Sequence, residues 1–171
     1  MAIFRSLALV AATLAGLAAR AAEPCTPEAR QRLPAAAEFA RLCPKDPIFA
    51  KAPDEKGDPR GGCTLYFREA PSRFVQVAAA KQEPRVSGGP RAGADKAAET
   101  FGRMQGGKAP AVKRMPWKSV EAYALEKMPG YFVDSSGEVL VVHVTPVIAK
   151  PPGDDCVEAV VRVVAKRFAA R

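Results

Sequence analysis

The clearest hydrophobic pattern lies near the carboxyl end of the chain. Its apolar residues recur at positions i, i+3, i+4, i+7 and i+11, which predicts an amphipathic helix: Val157, Val160, Val161, Val164 and Phe168. Asp155 precedes this stripe as the expected N-cap, and Glu158 follows three residues later, as in a capping box. The last segment is therefore predicted to be a helix that buries one face.

Alternating apolar and polar residues predict five strands, at 63–68, 74–80, 120–126, 131–134 and 138–145. In the first, Leu65 and Phe67 occupy one face, and Thr64, Tyr66 and Arg68 occupy the other. Gly137 favours a tight turn in a hairpin between the last two strands. Two further helices are predicted at 27–42 and 94–104, with Thr26 as N-cap of the first and a kink or break at Pro34.

The remaining segments are rich in proline and glycine and are predicted to be loops or irregular, at 44–62, 83–92, 112–117 and 146–153. Short links between neighbouring strands indicate antiparallel pairing. The predicted fold class is α+β, with a mostly antiparallel sheet of about five strands flanked by an N-terminal, a central and a C-terminal helix.

The order of these elements resembles that of the PsbP-like α/β sandwich, which small exported bacterial domains use. The resemblance covers residues 27–170 and rests on that order and on Cys63 at the start of the strand pair. It implies an accessory or binding module without catalytic activity. No functional residue is carried over.

Residues 1–22 have the features of a secretory signal peptide. Arg5 is followed by an apolar stretch from Ser6 to Ala19, which is shorter than the roughly 20 residues that span a bilayer. Ala19-Arg20-Ala21 then matches a signal cleavage site. The expected product is one soluble domain, residues 23–171, in the periplasm or outside a bacterial cell, with no transmembrane segment after cleavage.

Four cysteines in an exported chain predict two disulfides. A helix over 27–42 would hold Cys25 and Cys43 roughly 24 Å apart, whereas a disulfide needs its Cα atoms within about 7 Å. We therefore favour Cys43–Cys63 together with Cys25–Cys156. No C-x-x-C motif is present, so the bridges are expected to be structural rather than redox-active.

Charge is concentrated in the middle of the chain. The whole sequence has 26 basic and 18 acidic residues, and without the two bases of the signal the net charge is +6. Residues 81–118 hold nine bases and three acids, and 101–118 hold five bases and no acid. Such a segment is a solvated surface or binds an anionic partner. The predicted binding residues are Arg103, Lys108, Lys113, Arg114, Trp117 and Lys118.

Evidence for catalysis is sparse. His143 is the one histidine, so no multi-histidine metal site can form in one chain. No cofactor or metal is predicted. A carboxylate pair could come from four residues: Glu121, Glu126, Asp134 and Glu138. Gly102–Lys108 resembles a phosphate-binding loop but follows a predicted helix and has Ala109 where Ser or Thr is needed, so it is expected to end the helix.

The sequence thus favours an exported, non-catalytic accessory or binding domain that engages a protein or an anionic envelope partner through its basic segment. Nucleic acid is not an expected partner. Two alternatives remain open. One is an inhibitor of an envelope hydrolase, or an immunity-type protein, that presents loop 44–62 or 84–92. The other is a small enzyme that uses His143 or a carboxylate pair.

Overall fold

The computed structural model describes residues 25–58, 62–126 and 128–170. The predicted signal peptide lies outside them. The helices are α1 (Pro27–Gln31), α2 (Ala36–Leu42), α3 (Gly89–Met104) and α4 (Asp154–Ala169). The strands are β1 (Asp54–Gly57), β2 (Cys63–Ala70), β3 (Arg73–Lys81), β4 (Val112–Arg114), β5 (Ala122–Leu125), β6 (Tyr131–Ser135) and β7 (Glu138–Val147).

The seven strands form one antiparallel sheet in the order β1-β2-β3-β7-β6-β5-β4. Successive side chains of a strand point to opposite sides, so the sheet has two faces. The main face carries Leu65, Val77 and Val142, and packs against α1, α2 and α4 in the larger core. The rings of Phe39 of α2, Phe49 and Phe67 pack together there, with ring centroids 4.7–5.6 Å apart.

The second face is covered by α3 over β4 to β7. Ala94 and Ala98 of α3 pack there against Leu125, Phe132 and Val139 in a smaller core. Gly93 allows the close approach of helix and sheet, because an added Cβ would lie 2.7 Å from Cγ1 of Val139. The structure is therefore α+β, as predicted.

The helix α4 confirms the hydrophobic stripe, whose five residues are all buried. The expected capping box is wrong, however. The N-cap is Gly153, no side chain caps the helix, and Asp154 and Asp155 both lie in the first turn. The carboxylate of Glu158 points instead to the segment before β5, where it accepts from Lys118 N (3.2 Å), Ser119 N (2.9 Å) and the Ser119 hydroxyl.

Other local predictions are confirmed. Thr26 Oγ1 accepts from Ala29 N at 3.2 Å and caps α1, and the first predicted helix is split around Pro34. Positive φ angles at Ser136 (55°) and Gly137 (81°) form the turn between β6 and β7. Gly106, at φ 62°, follows the end of α3, so the segment that resembles a phosphate-binding loop is a helix end.

The expectation of about five strands was too low, because two short edge strands lie in segments predicted to be irregular. The loop predicted at 44–62 contains a 3₁₀ turn (Pro47–Ala50) and β1, and β4 lies within 112–117. Neither strand shows alternation, because β1 is polar and β4 has only three residues. The central helix also starts earlier than predicted, at Gly89, with Pro90 in its first turn.

The disulfides join Cys25 to Cys63 and Cys43 to Cys156, with Cα–Cα distances of 5.1 and 4.7 Å. Both predicted pairings, Cys43–Cys63 and Cys25–Cys156, are therefore wrong. The exclusion of a bridge between Cys25 and Cys43 is confirmed. Cys43 and Cys63 are not partners because the 3₁₀ turn and β1 lie between them. Two disulfides are consistent with an oxidising compartment.

No helix among residues 25–58, 62–126 and 128–170 is both long and apolar enough to cross a membrane.

The two disulfides are expected to contribute unequally to stability. They close segments separated by 113 and 38 residues, for which chain entropy gives about 5 and about 4 kcal/mol respectively. Both cysteines of the longer bridge are also buried. In urea denaturation, the free energy of unfolding should therefore fall more in Cys43→Ala/Cys156→Ala than in Cys25→Ala/Cys63→Ala. Equal losses, or the reverse order, would contradict this ranking.

Glu158 is expected to fasten the segment that contains Trp117. The Glu158→Ala variant loses all three hydrogen bonds and should lower the free energy of unfolding by about 1–2 kcal/mol. Its tryptophan emission should shift to the red, a direct readout because Trp117 is the chain's one tryptophan. Glu158→Gln keeps an acceptor oxygen and serves as the control. A glutamine variant as impaired as the alanine variant would show that the carboxylate charge matters instead.

Candidate functional site

The six predicted binding residues do not form one surface. Arg103 lies at the exposed end of α3, and Lys108 lies in the loop that follows. Lys113 and Arg114 are neighbours in β4 and so point to opposite sides of the sheet. Arg114 shares the second face with Tyr123, its partner in β5. The basic segment is therefore divided between two sides of the molecule.

Trp117 is partly buried and packs against the larger core. It packs against Tyr131 with ring centroids 4.9 Å apart. Its indole N–H is buried and has no hydrogen-bond partner among the described residues. Lys118 follows it, exposed, with its backbone N–H bonded to Glu158.

Two of the basic side chains have acidic neighbours that partly offset their positive charge. Arg103 lies 3.9 Å from Glu99, and Arg114 lies 4.0 Å from Glu121. Lys113 is exposed on the edge strand β4, and lysines on such strands oppose edge-to-edge association. Ion pairing and protection of a sheet edge therefore account for three of the basic residues without a binding partner.

The structure reveals a different surface on the second face, over β1, β2, β3 and the adjoining end of β7. Here the described helices leave the side chains partly exposed to solvent. We call this surface the open face; its residues are Lys56, Thr64, Tyr66, Arg68, Phe74, Gln76, Ala78, His143 and Thr145. By contrast, Phe132 and Val139 under α3 are buried.

Aromatic rings and cations form the centre of the open face. Tyr66 and Phe74 meet edge to face, with ring centroids 5.5 Å apart. The Arg68 guanidinium lies 5.6 Å from the centre of the Tyr66 ring and 5.1 Å from that of Phe74. Lys56 Nζ lies 5.4 Å from the Tyr66 ring. All of these separations allow cation–π attraction.

Arg68 is held in a fixed orientation. Its Nε donates to Asp54 and its Nη1 donates to the Pro71 carbonyl at 2.7 Å. The Nη2 group makes no hydrogen bond with a described residue, and a guanidinium has five donors in total. Arg68 can therefore donate to an external acceptor without first being ordered, which lowers the entropic cost of binding.

Neutral polar groups surround this centre. Thr64, Gln76 and Thr145 lie on the same face, in registers that place Gln76 opposite both Tyr66 and Thr145. Their side chains make no hydrogen bond with another described residue. Together they offer hydroxyl and amide groups that can both donate and accept.

His143 lies on the same face, between Ala78 of β3 and Gly130, the residue before β6. Its Nδ1 donates to the Pro129 carbonyl at 2.8 Å, so Nε2 is the acceptor of the neutral ring. Burial lowers the pKa of His143, and the bond to Pro129 only partly opposes this effect. A backbone carbonyl, rather than a carboxylate, thus orients the ring.

Ile148 lies at the end of the open face, bridged to Phe74. Its side chain is 76% exposed and its φ is 55°. A β-branched residue in the left-handed region is strained, and this one regains little by burial. Folding alone does not account for an isoleucine at this position.

The candidate carboxylates are separated. Asp134 and Glu138 flank the β6–β7 turn, but their registers place them on opposite faces of the sheet. Glu138 is paired with Lys81 and Arg85, and the hydrogen bond from Lys81 lowers its pKa. Glu121 accepts from the Tyr123 hydroxyl at 2.8 Å, which raises the pKa of Tyr123. Glu126 is exposed.

The chain segments proposed for an inhibitory loop are largely built into the fold. Phe49 of the 44–62 segment is buried in the larger core, and β1 pairs with β2. Residues 89–92 of the second segment form the first turn of α3, whereas most of 84–88 is exposed. Within the described ranges, no group of three or more His, Cys, Asp or Glu side chains could hold a metal ion.

Comparison of the chain with protein-family models, curated proteins and solved structures finds no match in any of the three. The resemblance to the PsbP-like sandwich therefore remains a prediction.

Burial of His143 should make stability depend on pH. The pKa of this imidazole is lower in the folded protein than in the unfolded chain, so the unfolded chain binds more protons below about pH 6.5. The free energy of unfolding should therefore be greatest above that pH and fall as the pH drops through this window. His143→Gln removes the titration and should flatten the profile between pH 7.5 and 5.5 in urea denaturation. If the free energy of unfolding of His143→Gln varied with pH as in the unmodified protein, the pH dependence would not arise from His143.

Proposed function

We propose that the protein is an exported, non-catalytic binding domain that engages an anionic envelope partner through the open face. The observation that carries the proposal is the aromatic–cation cluster of Tyr66, Phe74 and Arg68 on a half of the sheet that the described helices leave uncovered. Aromatic and arginine side chains are the groups most enriched at binding hot spots.

Two further observations support a binding role. The Arg68 guanidinium is held by Asp54 and Pro71 with donors to spare. The strained, exposed Ile148 lies at the end of the same surface. Strain of this kind tends to persist at ligand-binding positions, where it is offset by the rest of the fold.

The basic segment is the second candidate surface. Lys108 and Lys113 are exposed and make no ion pair with another described residue. They lie on the far part of the molecule from the open face, beyond α3 and on β4. The two surfaces can therefore be tested separately.

Site-specific photocrosslinking can distinguish the two surfaces. A benzophenone amino acid replaces Gln76 on the open face or Lys108 in the basic segment, and the protein is irradiated in its native envelope fraction. We expect adducts from position 76 that disappear when Arg68→Gln is added, and few from position 108. Adducts from position 108 alone would move the site to the basic segment. Absence of adducts from both positions would contradict a binding function.

A further inference from the structure

The chemistry of the open face also indicates what class of partner it takes. This inference rests on the proposed function, because it names the occupant of the same surface. Three properties bear on the choice: the shape of the surface, its hydrogen-bonding groups and its charge.

The open face is a broad sheet surface rather than a pocket. Cavities of about 310 and 630 Å³ lie elsewhere, beside Lys45 and Lys150, and the larger one adjoins the Cys43–Cys156 bridge. Side chains of neighbouring strands stand next to each other across the sheet. An extended partner can therefore contact several strands at once, whereas a small molecule would be left mostly in water.

The neutral hydrogen-bonding groups of this surface are partly exposed to solvent. Thr64, Gln76 and Thr145 make no side-chain hydrogen bond with a described residue, and neither does Nε2 of His143. Each can form a hydrogen bond with a hydroxyl group, because a hydroxyl both donates and accepts. Several such groups on one surface suit a partner that carries many hydroxyls.

The charged groups select an acidic partner. Arg68 and Lys56 flank the Tyr66 ring, and Asp54 is the one carboxylate bonded to Arg68. The free Nη2 of Arg68 can donate to a carboxylate in a charge-assisted hydrogen bond. A second copy of this chain is disfavoured, because a symmetric contact between two open faces would bring two positively charged clusters together.

We propose that the open face binds an acidic polysaccharide, a chain of hydroxyl-rich sugar rings that carry carboxylates. The apolar faces of the sugar rings pack on Tyr66 and Phe74, their hydroxyls meet Gln76 and the two threonines, and a carboxylate binds Arg68. This occupant uses the aromatic, neutral polar and cationic groups of the surface together.

Affinity electrophoresis of the purified domain provides the test. The gels contain alginate, a polymer of uronate sugars, or neutral dextran, or dextran sulfate as a control for charge alone. We expect alginate to retard the protein most. Arg68→Gln and Gln76→Ala should each weaken alginate binding about tenfold or more, equivalent to about 1.4 kcal/mol, while both variants keep a cooperative thermal unfolding transition.

The chain contains a matched control. Arg91, in the first turn of α3, lies 5.6 Å from the centre of the Tyr123 ring on β5, away from the open face. The double variant Arg91→Gln/Tyr123→Ala removes a similar cation–aromatic pair and should leave alginate binding unchanged. Retardation by dextran sulfate equal to that by alginate, or equal loss in the control variant, would overturn the inference in favour of nonspecific charge binding.

The photocrosslinking experiment separates this inference from the proposed function. A protein adduct from position 76, without retardation by alginate, would overturn the polysaccharide assignment and leave the binding function in place. Absence of both adduct and retardation would overturn both.

Discussion

The packing of α4 on the main face of the sheet is the interaction on which the rest of the structure depends. Its valine stripe fills the larger core, and its ends reach four other parts of the chain. Cys156 bonds to the end of α2, and Glu158 holds the segment before β5. The backbone of Ala165 accepts from the Ser135 hydroxyl, and Arg167 donates to the Leu33 carbonyl and pairs with Glu38. Each contact joins a residue distant in sequence, so one helix connects the N-terminal helices to β6 and to the segment before β5.

This arrangement also explains why part of the second face is open. Three of the four helices, α1, α2 and α4, pack on the main face, and the second face has only the sixteen residues of α3. A helix rises about 1.5 Å per residue and covers only a stripe, and this one lies over β4 to β7. The first three strands are left with side chains that tolerate water on that side. Tyr66, Arg68 and Gln76 can pack against their neighbours on the sheet and also face water, because each has an apolar part and a polar end.

The sequence was sufficient for features that local periodicity and turn chemistry determine, such as the buried face of α4, the Ser136-Gly137 turn and the break at Pro34. It was insufficient where the result depends on which distant elements meet. The disulfide pairing failed because the path of residues 44–62 is set by Phe49 entering the core, which no local pattern shows. Charge density suggested one surface at 101–118, but Lys113 and Arg114 point to opposite sides of β4 and Trp117 packs against the larger core. The open face did leave a signal, since Tyr66 and Arg68 alternate with Leu65 and Phe67, but only the position of α3 shows that this side is uncovered.

The disulfides are interleaved along the chain, and this has a consequence for biosynthesis. Cysteines emerge in the order 25, 43, 63 and 156, so the first two to meet an oxidising environment are not native partners. Cys43 has no native partner until Cys156, 113 residues later, has emerged. Oxidation in order of emergence would trap a chain that cannot place α4. In an oxidising compartment, formation of the sheet before oxidation, or reshuffling of early bonds by an isomerase, would avoid this non-native bond.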